Sequence, residues 1–228
     1  MSTDIFYDRL IGPNPVSSGS DQTTTTLSVS SETAPTAVHA ITYGNLIVQV
    51  SSPGSTPPAL PATCTDTQGS SYTLVKEVLF AGYALDVFSR LSTAPNVSTT
   101  VTVSHQPSKH RIILCDEWYN LGTYEKLVSS YASTANAQVE LGDFHVGNKH
   151  WLVYAVVAIG GSPYNDSVVI PDNWNLLHDT GSNYGDGNDV RLVVAYQIAN
   201  RRNKVDFRPV ISNPRVWGGC MFAYKAKL

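Results

Sequence analysis

Apolar and polar positions along this chain alternate in short runs instead of recurring at helical spacing. From Leu27 onward, runs rich in Val, Ile, Thr and Tyr alternate residue by residue and stop at Gly, Pro, Asn or Ser, the period-two pattern of strands with one face buried. The alternation predicts strands at 26–30, 46–51, 72–80, 83–91, 99–104, 110–118, 150–159, 174–178, 190–199, 204–211 and 217–226. One segment, 121–137, differs. Tyr124, Leu127, Val128 and Tyr131 fall on one side of a helical wheel, and the Ser and Thr residues among them predict a short or irregular helix. The sum is an all-β chain, an antiparallel two-sheet β-sandwich with jelly-roll-like connections.

The first 26 residues follow another pattern. Ile5, Phe6, Tyr7, Leu10 and Ile11 form a small apolar cluster, followed by Gly12-Pro13-Asn14-Pro15 and a Ser/Thr-rich run from Ser17 to Thr26. Such a run cannot build a core of its own, so 1–26 is expected to be an extended N-terminal arm and linker, with 27–228 the single sandwich domain. The five apolar residues are the candidate protein-interface residues. They either grip a neighbour or pack on their own domain as an edge strand.

Two long connections stand out: 52–62, with Pro53, Pro57, Pro58 and Pro61, and 179–189, rich in Gly, Asn and Asp. Asn200-Arg201-Arg202-Asn203 has the look of a hairpin turn, its arginines solvated. A faint duplication runs through the chain. Asn45–Val48, Tyr72-Thr73-Leu74, 84–88, Val101-Thr102-Val103 and 112–118 are followed in the same order by 151–157, Trp174-Asn175-Leu176, 192–196, 205–207 and 217–224. Two similar sets of antiparallel strands would produce the same order.

Composition narrows the function classes. Charged residues are 14% of the chain, against about 25% in an average soluble protein, so Ser, Thr, Asn and Tyr cover much of the surface. The net charge of -3 has the wrong sign for a phosphate-neutralising footprint, so no nucleic-acid partner is expected. The longest apolar stretch, 151–159, is far below the roughly 20 residues of a membrane-spanning helix, and no membrane partner is expected. The first twelve residues lack the basic start and apolar core of an export signal. Cys64, Cys115 and Cys220 are widely spaced and odd in number, which predicts buried thiols instead of a disulfide framework or zinc site.

Catalytic patterns are thin. Asp179-Thr180-Gly181-Ser182 looks like the loop of an aspartic protease, but that chemistry needs two carboxylates sharing a proton. The other candidate, Asp66-Thr67-Gln68-Gly69, lacks the glycine of the tight turn. The same region, through Asp186 and Asp189, offers oxygen ligands for calcium, without the closing Glu of an EF-hand loop. His105 with His110, and His145 with His150, do not follow zinc-hydrolase spacing. Asp116 and Glu117 are neighbours on a strand, so their carboxylates diverge. Neither catalytic residues nor a metal or other cofactor are expected. Trp118, Tyr119, Tyr124, Tyr131, Tyr164, Tyr184 and Trp174 lie at or near predicted loops, where exposed rings could stack on sugars or anchor a protein interface; the competing and favoured reading, from their alternating runs, places Trp151, Trp174 and Trp217 in the core.

Gly44–Val48, Thr65–Leu74, Val101-Thr102-Val103 and Asn173-Trp174-Asn175-Leu176-Leu177 resemble a pattern in β-sandwich proteins of tailed-phage and prophage virions, of the capsid decoration (cement) or tail-fibre type. The resemblance covers 44–224, and the Pro-rich 52–62 departs from it. It implies a non-enzymatic virion structural protein, assembled in the host cytoplasm, that binds the major capsid protein or other virion proteins as a homo-oligomer. The alternative is a carbohydrate- or receptor-binding module of a phage tail.

Overall fold

The computed structural model describes residues 6–29, 43–51, 62–67, 69, 71–92, 99–119, 121–147, 150–161, 166–182, 187–199 and 201–226. These residues form strands and connections without a helix. The first half carries β1 (Phe6–Val29), β2 (Tyr43–Ser51), β3 (Thr63–Asp66), β4 (Thr73–Phe80), β5 (Tyr83–Ser92) and β6 (Thr99–Tyr119). The second half carries β7 (Leu121–Gln138), β8 (Asp143–Val146), β9 (Trp151–Gly160), β10 (Val168–Val169), β11 (Asn175–Gly181), β12 (Val190–Ala199), β13 (Asn203–Asp206) and β14 (Val210–Ala226).

Each half makes one sheet. The first has the order β1-β6-β2-β5-β4, with β3 also on β6; the second has the order β7-β14-β9-β12-β11, with β10 also on β14. Every described pairing is antiparallel. The expected two-sheet sandwich is therefore present, but its strands are not dealt alternately to the two sheets as jelly-roll connections would deal them. Strands β1 to β6 stay in one sheet, and the chain crosses to the other after Tyr119.

The duplication legible in the sequence is a match of ladders. One rung of the first sheet runs Leu74, Phe88, Ile47, Cys115, and one rung of the second runs Leu176, Ala195, Ala155, Met221. Both edge strands break register at the same place, between Leu74 and Lys76 and between Leu176 and His178. That bulge makes Lys76 the counterpart of His178. One rung further along, Asp116 is the counterpart of Phe222. Between the sheets β4 lies over β7 and β14, β1 lies against β11, and β12 lies against β6 and β2; the β4–β7 and β11–β1 contacts correspond in the two halves. One match does not hold: 205–207 has no counterpart role to 101–103, because β13 pairs with β8 in a separate two-stranded sheet. For the same reason Arg201 and Arg202 connect two sheets and are not a hairpin turn.

Three cores explain the apolar runs. Between the sheets lie Leu46, Val48, Val50, Leu85, Val87, Ile112 and Leu114 against Leu152, Tyr154, Val156, Leu192, Val194 and Phe222. The outer face of the second sheet, with Val153, Val157, Val193 and Met221, is covered by Phe144, Val146, Val205 and Phe207. The outer face of the first sheet is covered by the sheet itself: β6 pairs β2 along its later half and β3 along its earlier half, so Val101, Val103 and Cys64 fold back over Ile47, Phe88 and Ile113. Strand β9 is buried at every position, which is why 151–159 reads as one apolar run: a strand covered on both faces has no polar side to show.

The helix expected at 121–137 is a strand. Adjacent residues Leu127 and Val128 pack into different cores, which a strand allows and one stripe of a helix does not. The open edge of β14 supplies the backbone partners, with Phe222 opposite Leu127 and Cys220 opposite Ser129. Tertiary pairing outweighs local spacing here. Beside it, Gly218 and Gly219 are required by close packing: a Cβ on the first would stand 2.4 Å from Phe80 Cδ1, and on the second 2.6 Å from the Val156 carbonyl oxygen.

Residues 6–29 pair with β6 along its length, with Phe6 opposite Tyr119, Tyr7 opposite Trp118, Leu10 opposite Asp116 and Ile11 opposite Cys115. Of the two readings of the apolar cluster, the backbone follows the edge strand, not a separate arm. Ile5 and 52–61 lie outside the described residues.

Candidate functional site

The approximate two-fold gives the sandwich two equivalent flanks, one between β11 and the β1/β6 edge, the other between β4 and β7. They are built differently. On the β11 flank, Asp116 reaches inward from β6, accepts a hydrogen bond from the Tyr154 hydroxyl, and pairs through Oδ1 with His178 Nε2 at 2.8 Å. All three side chains are buried. Trp118 closes over them, its ring edge-on to Tyr154 at 6.4 Å and to Tyr196 at 5.0 Å. Nearby, Ser182 Oγ donates to Asp189 Oδ1 at 2.9 Å and accepts from the Val190 amide at 2.9 Å, with His110 Nδ1 3.7 Å from the same carboxylate oxygen. This is not a nucleophile and base. The serine donates to the Asp189 carboxylate and not to a histidine, so the arrangement differs from a Ser-His-Asp triad.

Below this seam Arg191 fixes the 179–189 connection. Its guanidinium meets Asp179 with two bonds, Nε to Oδ1 at 2.6 Å and Nη2 to Oδ2 at 2.7 Å, and also donates to the Asp166 carbonyl. Asp166 in turn accepts from Asn213 at 2.6 Å and Arg215 at 2.7 Å. The protease-like motif is thereby assigned a structural role. Both carboxylate oxygens of Asp179 are occupied by a cation, and Thr180 and Gly181 are ladder residues of β11, not a catalytic loop.

The β4 flank is open. A cleft of about 300 Å³ lies between the edge strands, lined by Lys76, Glu77, Val78 and Leu79 of β4 and by Ser129, Ser130 and Tyr131 of β7. Ladder parity sets their directions. Lys76 pairs with Val87, a core residue, and so faces into the sandwich; Glu77 pairs with Asp86 on the outward face. Lys76 acts on the Cys220 thiol at the base of this flank, partly offsetting the burial that pushes Cys220 up to about 12. Tyr131, at 60% exposure, is the most exposed large aromatic among the described residues.

The other candidate residues from the sequence are placed as follows. His145 is on β8 opposite Lys204, and Asp116 and Glu117 diverge to opposite faces as neighbours on a strand must. Trp151, Trp174 and Trp217 are core residues. Trp118, expected near a loop, is fully buried. Tyr124 is exposed beside Tyr224, while Tyr164 and Tyr184 lie outside the described residues. The three cysteines are buried free thiols, and burial pushes Cys64 up to about 12, with Asp66 adding to it. Among the described residues no three His, Cys, Asp or Glu side chains converge as a metal cage. Of the interface candidates Phe6, Tyr7, Leu10 and Ile11, the backbone lies on the edge strand β1, next to β11.

Sequence reasoning missed the Asp116–His178–Tyr154 cluster. Its signal was a carboxylate at an inward position of an apolar run, where a lone charge must find partners. It also missed the cleft, whose lining comes from strands that share no sequence motif. No family model matches the chain, and no curated protein or solved structure matches it. What the geometry defines is an antiparallel β-sandwich of two like halves with one sealed and one open flank.

Proposed function

We propose that this chain is a non-enzymatic assembly protein, in the setting its sequence resemblance implies a capsid decoration protein that binds an outer virion shell as a homo-oligomer. One observation carries the reading: strand β7, 18 residues long, borders the second sheet with β14 as its one ladder partner among the described residues, and most of its described side chains are solvent-exposed. It holds two charged residues, Glu125 and Lys126, and no proline, so little discourages another chain from pairing with it. A second apolar patch lies on the other side of β14, where Val169 and Val210 are cross-strand partners at 64% and 44% exposure. The polar clusters are buttresses: Asp116, Asp179 and Asp189 each hold strands or connections together and leave no aligned nucleophile.

The experiment is co-sedimentation with empty shells, alongside sedimentation velocity of the protein alone. The double variant Ser133→Lys/Ala135→Lys places two cations on the exposed edge without touching a core. Expected is loss of shell binding and self-association with an unchanged melt. Shell binding that survives both lysines would refute the β7 edge as the attachment surface, and absence of binding by the unmodified chain would refute the decoration role.

A further inference from the structure

We propose that the cleft on the β4 flank is a binding site for a single carboxylate-bearing sugar ring, a hexuronic or sialic acid, with Lys76 as the carboxylate contact and Tyr131 as the stacking platform. The matched bulges relate a nitrogen-bearing side chain on one flank to a nitrogen-bearing side chain on the other. At the bulge of β11 stands His178, and across the sandwich β6 offers it the carboxylate of Asp116 at 2.8 Å. At the matching bulge of β4 stands Lys76, and the rung position matching Asp116 is Phe222. Among the described residues, the matched rung therefore supplies a carboxylate to His178 and an apolar ring on the side of Lys76.

The rest of the lining sets the ligand class. An ammonium facing the base of a cleft favours an anion of compact size, and a carboxylate entering from solvent occupies the space that Asp116 fills on the other flank. Glu77 also lines the cleft, and its pairing with Asp86 directs it to the other face of β4 from Lys76. Tyr131 offers an open ring face at the rim, and sugar C–H faces pack on such rings. The hydroxyls of Ser129 and Ser130 lie on the same wall and can both donate and accept, as a polyol requires. A volume of about 300 Å³ is at the small end of ligand sites and suits one ring better than an extended peptide. The site is independent of the edge-pairing role: its lining residues on β7 are not those of the lysine test above.

Saturation-transfer NMR and calorimetry on the full chain test it, with glucuronic acid and N-acetylneuraminic acid as probes and glucuronamide, glucose and N-acetylaspartate as controls. One of the acids should bind at about millimolar Kd. Its uncharged counterpart should bind at least about tenfold more weakly, Lys76→Gln should lose a similar factor, and Tyr131→Ala several-fold. Lys76→Arg should retain binding. Equal binding of glucuronamide, or none by either acid, overturns the proposal, and so does N-acetylaspartate binding as tightly as the sugars, which would make the cleft an acidic-peptide site. The acid-against-amide comparison uses the unmodified protein, so it decides the matter even where a variant fails to fold.

Discussion

Removing the Asp116 carboxylate tests the claim that the β11 flank is held shut by a buried hydrogen-bonded cluster. In Asp116→Ala the Tyr154 hydroxyl and His178 Nε2 lose their common acceptor in a place where the His178 and Asp116 side chains are 1% and 0% exposed. Water cannot replace it without opening the sandwich. Breaking a buried pair by deleting one partner costs about 3–5 kcal/mol. A domain of this length loses about 2–4 °C of melting temperature per kcal/mol, so a fall of about 6–20 °C is expected. Tyr154→Phe deletes one donor and leaves the His178 contact, and should cost about 1.5–3 kcal/mol. Denaturant unfolding followed by far-ultraviolet dichroism and by tryptophan fluorescence gives both numbers, since Trp118 packs against Tyr154. The counterpart change on the open flank, Lys76→Ala, should cost less than about 1 kcal/mol, because it deletes a side chain that lines a solvent-filled cleft. If Asp116→Ala also costs less than about 1 kcal/mol, the flank is not sealed by this cluster and the contrast between the two sides fails.

Three further outcomes are expected. Burial, with Glu77 adding to it, pushes the Asp86 carboxyl from 3.8 up to about 7. The folded state therefore holds a proton that the unfolded state releases between those values, so this contribution to stability is complete below about pH 4 and lost as pH rises through about 7. The loss is about 4 kcal/mol at most, of which about two fifths has occurred by pH 5, so Asp86→Asn should stabilise the protein clearly more at pH 8 than at pH 5, as chemical melts at the two pH values will show. Gly219→Ala should destabilise by more than about 2 kcal/mol in the same melts, because the new Cβ meets a backbone oxygen at 2.6 Å that the β9–β14 ladder holds in place. Asp179→Asn should cost about 1–2 kcal/mol by weakening its bidentate pair with Arg191, and leave peptide hydrolysis at background; loss of a measurable peptidase activity in that variant would restore the acid-protease reading.

Strand positions were legible because alternation survives wherever one face is polar, as on β4, where Glu77 and Leu79 face outward and Val78 and Phe80 face the core. The run at 151–159 was legible as apolar but not as central, since a strand covered on both faces loses its period. Residues 121–137 misled because Leu127 and Val128 serve two cores at once, and their apolar spacing then coincides with a helical stripe. The Asp179 motif misled in another way: the sequence shows the carboxylate but not Arg191, which folds in from the neighbouring strand and neutralises it.

The sheet pairing gives the faint repeat a functional meaning. Two halves with one topology, one ladder register and one bulge must present their edges in matched pairs, so any difference between the flanks arises from side chains and not from architecture. The difference falls on a single rung. Where β6 carries Asp116, the His178 imidazole from the opposite edge has a carboxylate partner, and Trp118 packs against Tyr196 beside it. Where β14 carries Phe222, which stacks within the core beside Tyr154 at 5.3 Å, the matching Lys76 on β4 faces a cleft. Exchanging those partners should exchange the flanks' behaviour: a carboxylate at position 222 has room only if it reaches Lys76, and a large apolar side chain at 116 strands His178 in the core. The recognition proposed for this protein therefore falls where its two halves differ, on the β4–β7 side, with the buried cluster of the other flank bracing the two sheets.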